Sequence, residues 1–203
     1  MHLIFRSIRL LILLVVTALA ACASAPPSTV IRTVYSPDSD MTGFSNILVV
    51  SVTGTYQSRA QFERELVMAM SSNEVTAAAY YTVLGRNPQL TRSNLHNAIR
   101  NREFDAVIFT RLKGQEQQDL APLRPIGNSL DLFAYDYDEL NRDVGIQQSQ
   151  AVTFITEVYS TTTQRKVWAL ESLSFDKATA AELISEQATM ISAQLKKDKL
   201  LAR

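Results

Sequence analysis

Asn46-Ile47-Leu48-Val49-Val50-Ser51-Val52 is a short β-branched run, apolar at consecutive positions and closed by Gly54. A strand with one face in water alternates apolar and polar residues; a run apolar on both faces reads as a central strand covered on both sides. The segments that follow it repeat a simple alternation. Ser58 and Gln61 have capping-box spacing, and Phe62, Leu66, Ala69 and Met70 recur at helical spacing around Glu63, Arg64 and Glu65, which predicts an amphipathic helix over 58–72. Its Met and Phe stripe reads as core packing rather than as the lining of a ligand site. Ala79-Tyr80-Tyr81-Thr82-Val83-Leu84 reads as a second strand ended by Gly85, and residues 91–101 as a second helix with Thr91 as N-cap and Leu95, Ala98 and Ile99 as its apolar stripe. Phe104-Asp105-Ala106-Val107-Ile108-Phe109-Thr110 is the third strand. Strand, helix, strand, helix, strand in so short a span points to α/β units with crossover connections.

The pattern then breaks. Residues 113–149 hold Gly114, Pro122, Pro125, Gly127 and Gly145 among polar residues and form a long insertion. Order returns with Ala151–Tyr159 and Lys166–Ser174, two apolar strands joined by Ser160-Thr161-Thr162-Thr163-Gln164, an antiparallel hairpin in which Val152, Phe154, Ile155 and Val158 face Val167, Trp168, Ala169 and Leu170. A last helix over 177–198 puts Ile184, Ala188, Ile191 and Leu195 on one face, with Lys196, Lys197 and Lys199 at its C-terminal end, where cations complement the helix dipole. The fold class is α/β, with α+β as the alternative, and a mixed sheet in two or three layers. Residues 46–203 make one domain.

The chain begins differently. Met1–Arg9 is basic through Arg6 and Arg9, and residues 10–20 are almost wholly apolar. A basic start, an apolar run of about 7–15 residues and small residues after it define an export signal; the run is too short for the about 20 residues of a membrane-spanning helix. Ala25-Pro26-Pro27-Ser28 follows, and a helix does not readily continue through that proline pair. Residues 22–45 are poor in large apolar side chains and read as a flexible tether, in which Val30–Tyr35 forms a possible edge strand.

Leu19-Ala20-Ala21-Cys22 resembles the lipobox of bacterial lipoproteins: an aliphatic residue, two small ones and a cysteine. The resemblance implies cleavage between Ala21 and Cys22, a diacylglyceride on the Cys22 sulfur and, usually, an acylated new amino terminus. An ordinary signal peptide or an uncleaved anchor is the alternative. More than one acyl chain makes physical sense, since a single chain anchors only marginally. In many Gram-negative lipoproteins an aspartate after the cysteine retains the protein in the inner membrane; Ala23 stands there instead, which implies the outer membrane with the domain in the periplasm.

Cleavage would leave 182 residues carrying 18 basic and 20 acidic groups, a net charge of −2. That balance makes no case for nucleic acid, which calls for a clustered basic face. With Cys22 lipidated no thiol remains, so no disulfide is expected.

The order of elements over 46–198 is similar to a recurring envelope domain, that of the N-terminal domain of the Tol–Pal propeller protein, the curli secretion lipoprotein and lipoprotein activators of penicillin-binding proteins. The residues that carry it are Ile47-Leu48-Val49-Val50, Val83-Leu84-Gly85-Arg86, Phe104-Asp105-Ala106-Val107-Ile108 and Gln164-Arg165-Lys166-Val167-Trp168. It implies an accessory role in binding another envelope protein.

Among the chemical candidates, His96 is the only histidine after cleavage, and no Gly-x-Ser-x-Gly surrounds a serine, so it reads as part of a polar helix face. Asp131, Asp136, Asp138, Glu139 and Asp143 cluster in the insertion. They read as a solvated acidic loop, with calcium binding or paired-carboxylate glycoside chemistry as alternatives; Asp136–Asn141 lacks the sixth-position glycine of an EF-loop. Tyr135 and Tyr137, with Asp136 and Asp138, are the candidate partner contact, against packing under the loop. No glycine-rich phosphate cradle is present. The expectation is a non-enzymatic, outer-membrane-anchored adaptor without cofactor or metal. The alternatives are an envelope hydrolase or carbohydrate-binding protein using 131–143, and a carrier of lipid or lipopolysaccharide.

Overall fold

The computed structural model describes residues 28–35, 43–52, 55–85, 89–112, 151–175, 177 and 179–203. They form a mixed α/β arrangement of β1 (Thr29–Tyr35), β2 (Asn46–Ser51), α1 (Tyr56–Met70), β3 (Thr76–Ala79), α2 (Tyr80–Leu84), α3 (Arg92–Arg102), β4 (Ala106–Leu112), β5 (Ala151–Ser160), β6 (Lys166–Phe175) and α4 (Ala180–Lys197). One six-stranded sheet runs in the order β1-β6-β5-β4-β2-β3. β2 is parallel to both β3 and β4, and the pairs β4–β5, β5–β6 and β6–β1 are antiparallel.

β2 is central among these parallel strands, as its doubly apolar sequence requires. Ile47 and Val49 join Phe62, Leu66, Met70, Ile184, Ala188, Ile191 and Leu195 in the core under α1 and α4. Leu48 and Val50 point the other way, into a second core with Tyr80, Leu90, Leu95, Ala98, Val107, Phe109 and Tyr159 under α2 and α3. Phe62 stacks on Phe154 with ring centroids 6.3 Å apart, and Phe109 meets Tyr159 edge-on at 6.1 Å.

Threonines cap the three longer helices. Thr55, Thr91 and Thr179 each accept a hydrogen bond from the backbone N–H three residues on, that of Ser58, Asn94 and Glu182. At α1 this replaces the Ser58–Gln61 box read from the sequence: the Ser58 amide is already taken by Thr55, and the helix starts two residues earlier. α1 and α4 pack side by side. At the end of α1 the Ala69 carbonyl accepts from both Ser192 Oγ (2.7 Å) and Lys196 Nζ (2.9 Å) of α4, a cation on a carbonyl that the helix leaves unpaired.

Asp105 explains the Asp-Ala step before β4. Its carboxylate accepts from the backbone N–H groups of Ser45 (2.8 Å) and Asn46 (3.1 Å) and from Ser45 Oγ (2.9 Å), so it sets where β2 begins beside β4. The hairpin pairs as the sequence suggests, with Val158 opposite Trp168 and Thr156 opposite Leu170, and a bulge next to Tyr159.

One expectation is corrected. The strand read over 79–84 ends at Ala79; Tyr80–Leu84 turns into α2, so the Val83-Leu84-Gly85 part of the resemblance is helical and is closed by Gly85 at φ 90°. Thr82 Oγ1 donates to the Ala79 carbonyl (2.7 Å), Tyr80 Oη to the Gln89 carbonyl (3.0 Å) and the Tyr81 amide to Glu63 of α1 (3.1 Å), and these bonds override the β preference of the tyrosines and valine. The edge strand read within residues 22–45 is present and pairs with β6 from Thr29–Leu173 to Tyr35–Trp168. Gly43–Ser45 is held as well: Phe44 N–H donates to Leu200 O (2.7 Å) and Ala202 N–H to Phe44 O (2.9 Å).

Candidate functional site

The parallel strands β2 and β3 end side by side at Ser51 and Ala79, and α1 starts above them. Sheets of this kind gather their sites at the carboxyl ends of parallel strands, where successive connections leave to opposite faces. A narrow crevice lies there, lined by Val50, Ser51, Tyr56, Arg59, Glu63, Tyr80, Tyr81 and Leu90 among others. It opens to solvent and has room inside for about one water molecule.

Glu63 is the one carboxylate in that lining. Although it stands among charged neighbours in sequence, it is 3% exposed. One carboxylate oxygen accepts from Ser51 N–H (3.0 Å) at the end of β2; the other accepts from Tyr81 N–H (3.1 Å) in the first turn of α2. The side chain of α1 thus ties together two backbone ends. Burial pushes its pKa up from 4.5 to about 7, against the opposing pull of the Ser51 and Tyr81 amides, the Arg59 charge one turn away and the Tyr80 amide. A carboxyl that titrates near neutrality in a cleft is a marker of functional sites, although structural networks produce the same shift.

A second charged constellation crosses the sheet. Arg32 Nε of β1 bonds Glu171 Oε2 of β6 at 2.8 Å, and Lys166 Nζ of β6 bonds Glu157 Oε1 of β5 at 2.7 Å. Arg111 of β4 approaches the other Glu157 oxygen at 4.0 Å, and Tyr159 Oη donates to it at 3.5 Å. Strand register puts all of these on the face that carries Phe109 and Tyr159. Glu157 and Glu171 are 3% and 1% exposed. Pairs of this depth contribute little net stability, but removing one partner strands the other charge.

Cys22, Ala21 and the signal segment lie outside the described residues, as do Tyr135, Tyr137, Asp131, Asp136, Asp138, Glu139 and Asp143. None of the candidate partner contacts is among the residues the structure describes. The structure does place the two ends of that insertion: Leu112 at the end of β4 and Ala151 at the start of β5 sit at the same end of the sheet as the crevice. His96 is exposed on α3, as read. Among the described residues no cluster of His, Cys, Asp or Glu is placed to hold a metal, and no helix is long and apolar enough to cross a membrane. The sequence reading missed Glu63, Glu157 and Glu171. Helical spacing alone put Glu63 with the polar residues of α1, and only the strand ends beside it show why it is buried.

No protein-family model and no curated protein sequence matches this chain. Among solved structures it is similar to a PelC dodecamer from Paraburkholderia phytofirmans, at 12% identity and a TM-score of 0.47 over 87% of this chain and 99% of that one. It is also similar to lipoprotein GNA1162 from Neisseria meningitidis (8%, 0.41, 75% and 96%) and to protein XCC0632 from Xanthomonas campestris (10%, 0.34, 86% and 99%). At these scores the likenesses carry no argument about function.

Proposed function

We propose that this chain is an outer-membrane lipoprotein whose periplasmic α/β domain acts without catalysis, as an adaptor that binds another component of the cell envelope. The observation that carries the reading is Leu19-Ala20-Ala21-Cys22, placed after an apolar run and before a folded domain. Two or more acyl chains on Cys22 would give the stable attachment that a domain of near-neutral charge does not obtain from electrostatics. The use of Glu63 favours binding over turnover. Both its oxygens are engaged by backbone amides, in a crevice of about one water, so it serves as a strut between elements.

Intact-mass measurement of the membrane-extracted protein tests the anchor: a polypeptide starting at Cys22 plus acyl mass is expected, and an unmodified chain starting elsewhere overturns it. Cross-linking in intact cells, with Tyr135 and Tyr137 replaced by a photoreactive residue, tests the adaptor role. One reproducible envelope protein is expected at these positions, lost when Asp136 and Asp138 are changed to alanine. A measured turnover that falls with those same changes would refute the adaptor reading.

A further inference from the structure

The register of the sheet fixes which end of the domain the anchor is tied to. Ser28, the first described residue, is pinned: its N–H donates to Glu186 Oε1 (2.7 Å) and its Oγ pairs with Ser174 Oγ (2.6 Å). Lys177 Nζ bonds the other Glu186 oxygen at 2.8 Å. Desolvation pushes the Glu186 carboxyl up, but the Lys177 and Ser28 hydrogen bonds outweigh it and hold the group below its usual range. β1 therefore enters the sheet beside the last residues of β6 and the second turn of α4. Leu112, Ala151, the end of β2 and the Glu63 crevice lie at this same end. The 160–165 turn, Asp105 and the C-terminal residues 200–203, held by Phe44, lie at the other.

Chain length turns this into a constraint. Only residues 23–27 separate Cys22 from Ser28, and at about 3.3–3.6 Å per residue six steps reach about 20 Å in any conformation. β5 and β6, of ten residues each, span about 30 Å. A connection of that reach cannot pass along the sheet from its attached end to the opposite one.

We propose that the end of the sheet carrying Ser28, the crevice and both roots of the 113–149 segment faces the bilayer that holds the anchor, while the 160–165 turn points away from it. This rests on the lipid-anchor reading of Cys22. The partner surface at this end is thus a lipid headgroup layer, and the segment carrying Tyr135 and Tyr137 leaves and rejoins the domain beside it. The opposite end, with exposed Thr162–Arg165 and Asn101–Glu103, is the one open to the periplasm.

The test uses the full-length, membrane-extracted protein in vesicles of phosphatidylethanolamine and phosphatidylglycerol that contain a headgroup-linked fluorescence acceptor. A donor dye is placed on one of two exposed positions, Ala181→Cys at the start of α4 or Thr162→Cys in the distal turn. Co-flotation with vesicles and an acyl-bearing mass are recorded on the same samples. Transfer several-fold higher at 181 than at 162 is expected, and a 20-residue Gly/Ser spacer inserted after Ala23 should largely abolish the difference. Protein that floats and carries acyl mass, yet shows equal or reversed transfer, overturns the orientation and leaves the anchor intact. Protein that neither floats nor carries acyl mass overturns the anchor, and the orientation falls with it.

Discussion

Glu63 makes stability depend on pH in an unusual direction, and Glu63→Gln tests it. In the folded protein the carboxyl titrates at about 7; exposed in the unfolded chain it returns to its ordinary 4.5. Below 4.5 both states are protonated and burial carries no ionic penalty. As pH rises from 4.5 to 7 the unfolded chain releases a proton that the folded protein retains, so stability falls, by at most about 1.4 kcal/mol per pH unit. Above 7 the folded protein ionises as well and the loss levels off. With a difference of about 2.5 units, the whole loss is about 3 kcal/mol, a large share of the about 5–15 kcal/mol that holds a typical domain together. The groups facing the carboxyl are Arg59 from α1, the tyrosines 56, 80 and 81 that line the crevice, and the Ser51 and Tyr81 amides. Of these only Arg59 is a charged partner, and desolvation outweighs its pull. Glutamine keeps the shape and one carbonyl acceptor but cannot ionise. Urea unfolding of the purified protein and of Glu63→Gln at several pH values between 4.5 and 8.5 should therefore give curves whose difference changes by about 3 kcal/mol, with the variant gaining on the parent as pH rises. Other titrating groups cancel in that difference. A difference independent of pH would refute the reasoning, because it would mean that Glu63 is ionised in the folded protein throughout.

Two further substitutions probe the frame around the site. A Cβ at Gly43 would stand 2.6 Å from the Leu201 carbonyl oxygen and 2.7 Å from the Ala202 nitrogen, both backbone atoms, so Gly43→Ala should cost about 1–3 kcal/mol in urea unfolding and release the Ala202 amide to hydrogen exchange. Unchanged exchange at Ala202 would show that this close approach is absent. Glu157→Ala leaves buried Lys166, with Arg111 beside it, without its carboxylate and should cost about 3–5 kcal/mol, whereas Glu157→Leu combined with Lys166→Met should recover most of that loss. A double variant as unstable as Glu157→Ala would show that the pair itself, and not the stranded cation, sustains the hairpin.

The parts of the fold legible in the sequence are those whose pattern lies within one element. Ile47–Val50 is apolar on both faces because helices cover both, the hairpin reads from two apolar strands five residues apart, and α4 reads from its single stripe. The misreadings occur where a neighbour decides. Tyr80-Tyr81-Thr82-Val83 has strand propensity, yet the Tyr81 amide is claimed by Glu63 from another element and the chain coils. Residues 30–35 read as an edge strand despite Arg32 and Thr33; pairing along β6 holds them, and Glu171, buried in that strand, forms an ion pair with Arg32.

The site follows the same logic one level up. Helical periodicity compares Glu63 with Phe62, Leu66 and Met70 along α1, and by that measure a carboxylate among them is polar surface. Its actual surroundings are the end of β2 and the start of α2, 12 and 18 residues away in sequence, and a backbone amide at each donates to it, which makes a buried carboxylate the residue that fits. The same holds for the grouping of Ser28, the roots of the 113–149 segment and the crevice. Ser28, Leu112, Ala151 and Ser51 are scattered along the chain, and no local pattern relates them. They meet at one end because β1 pairs with β6, β5 and β6 form a hairpin, and β2 runs parallel to β4. The apolar pattern of each element is thus a local property of this sequence, whereas the end of the sheet at which these residues gather is a property of strand order.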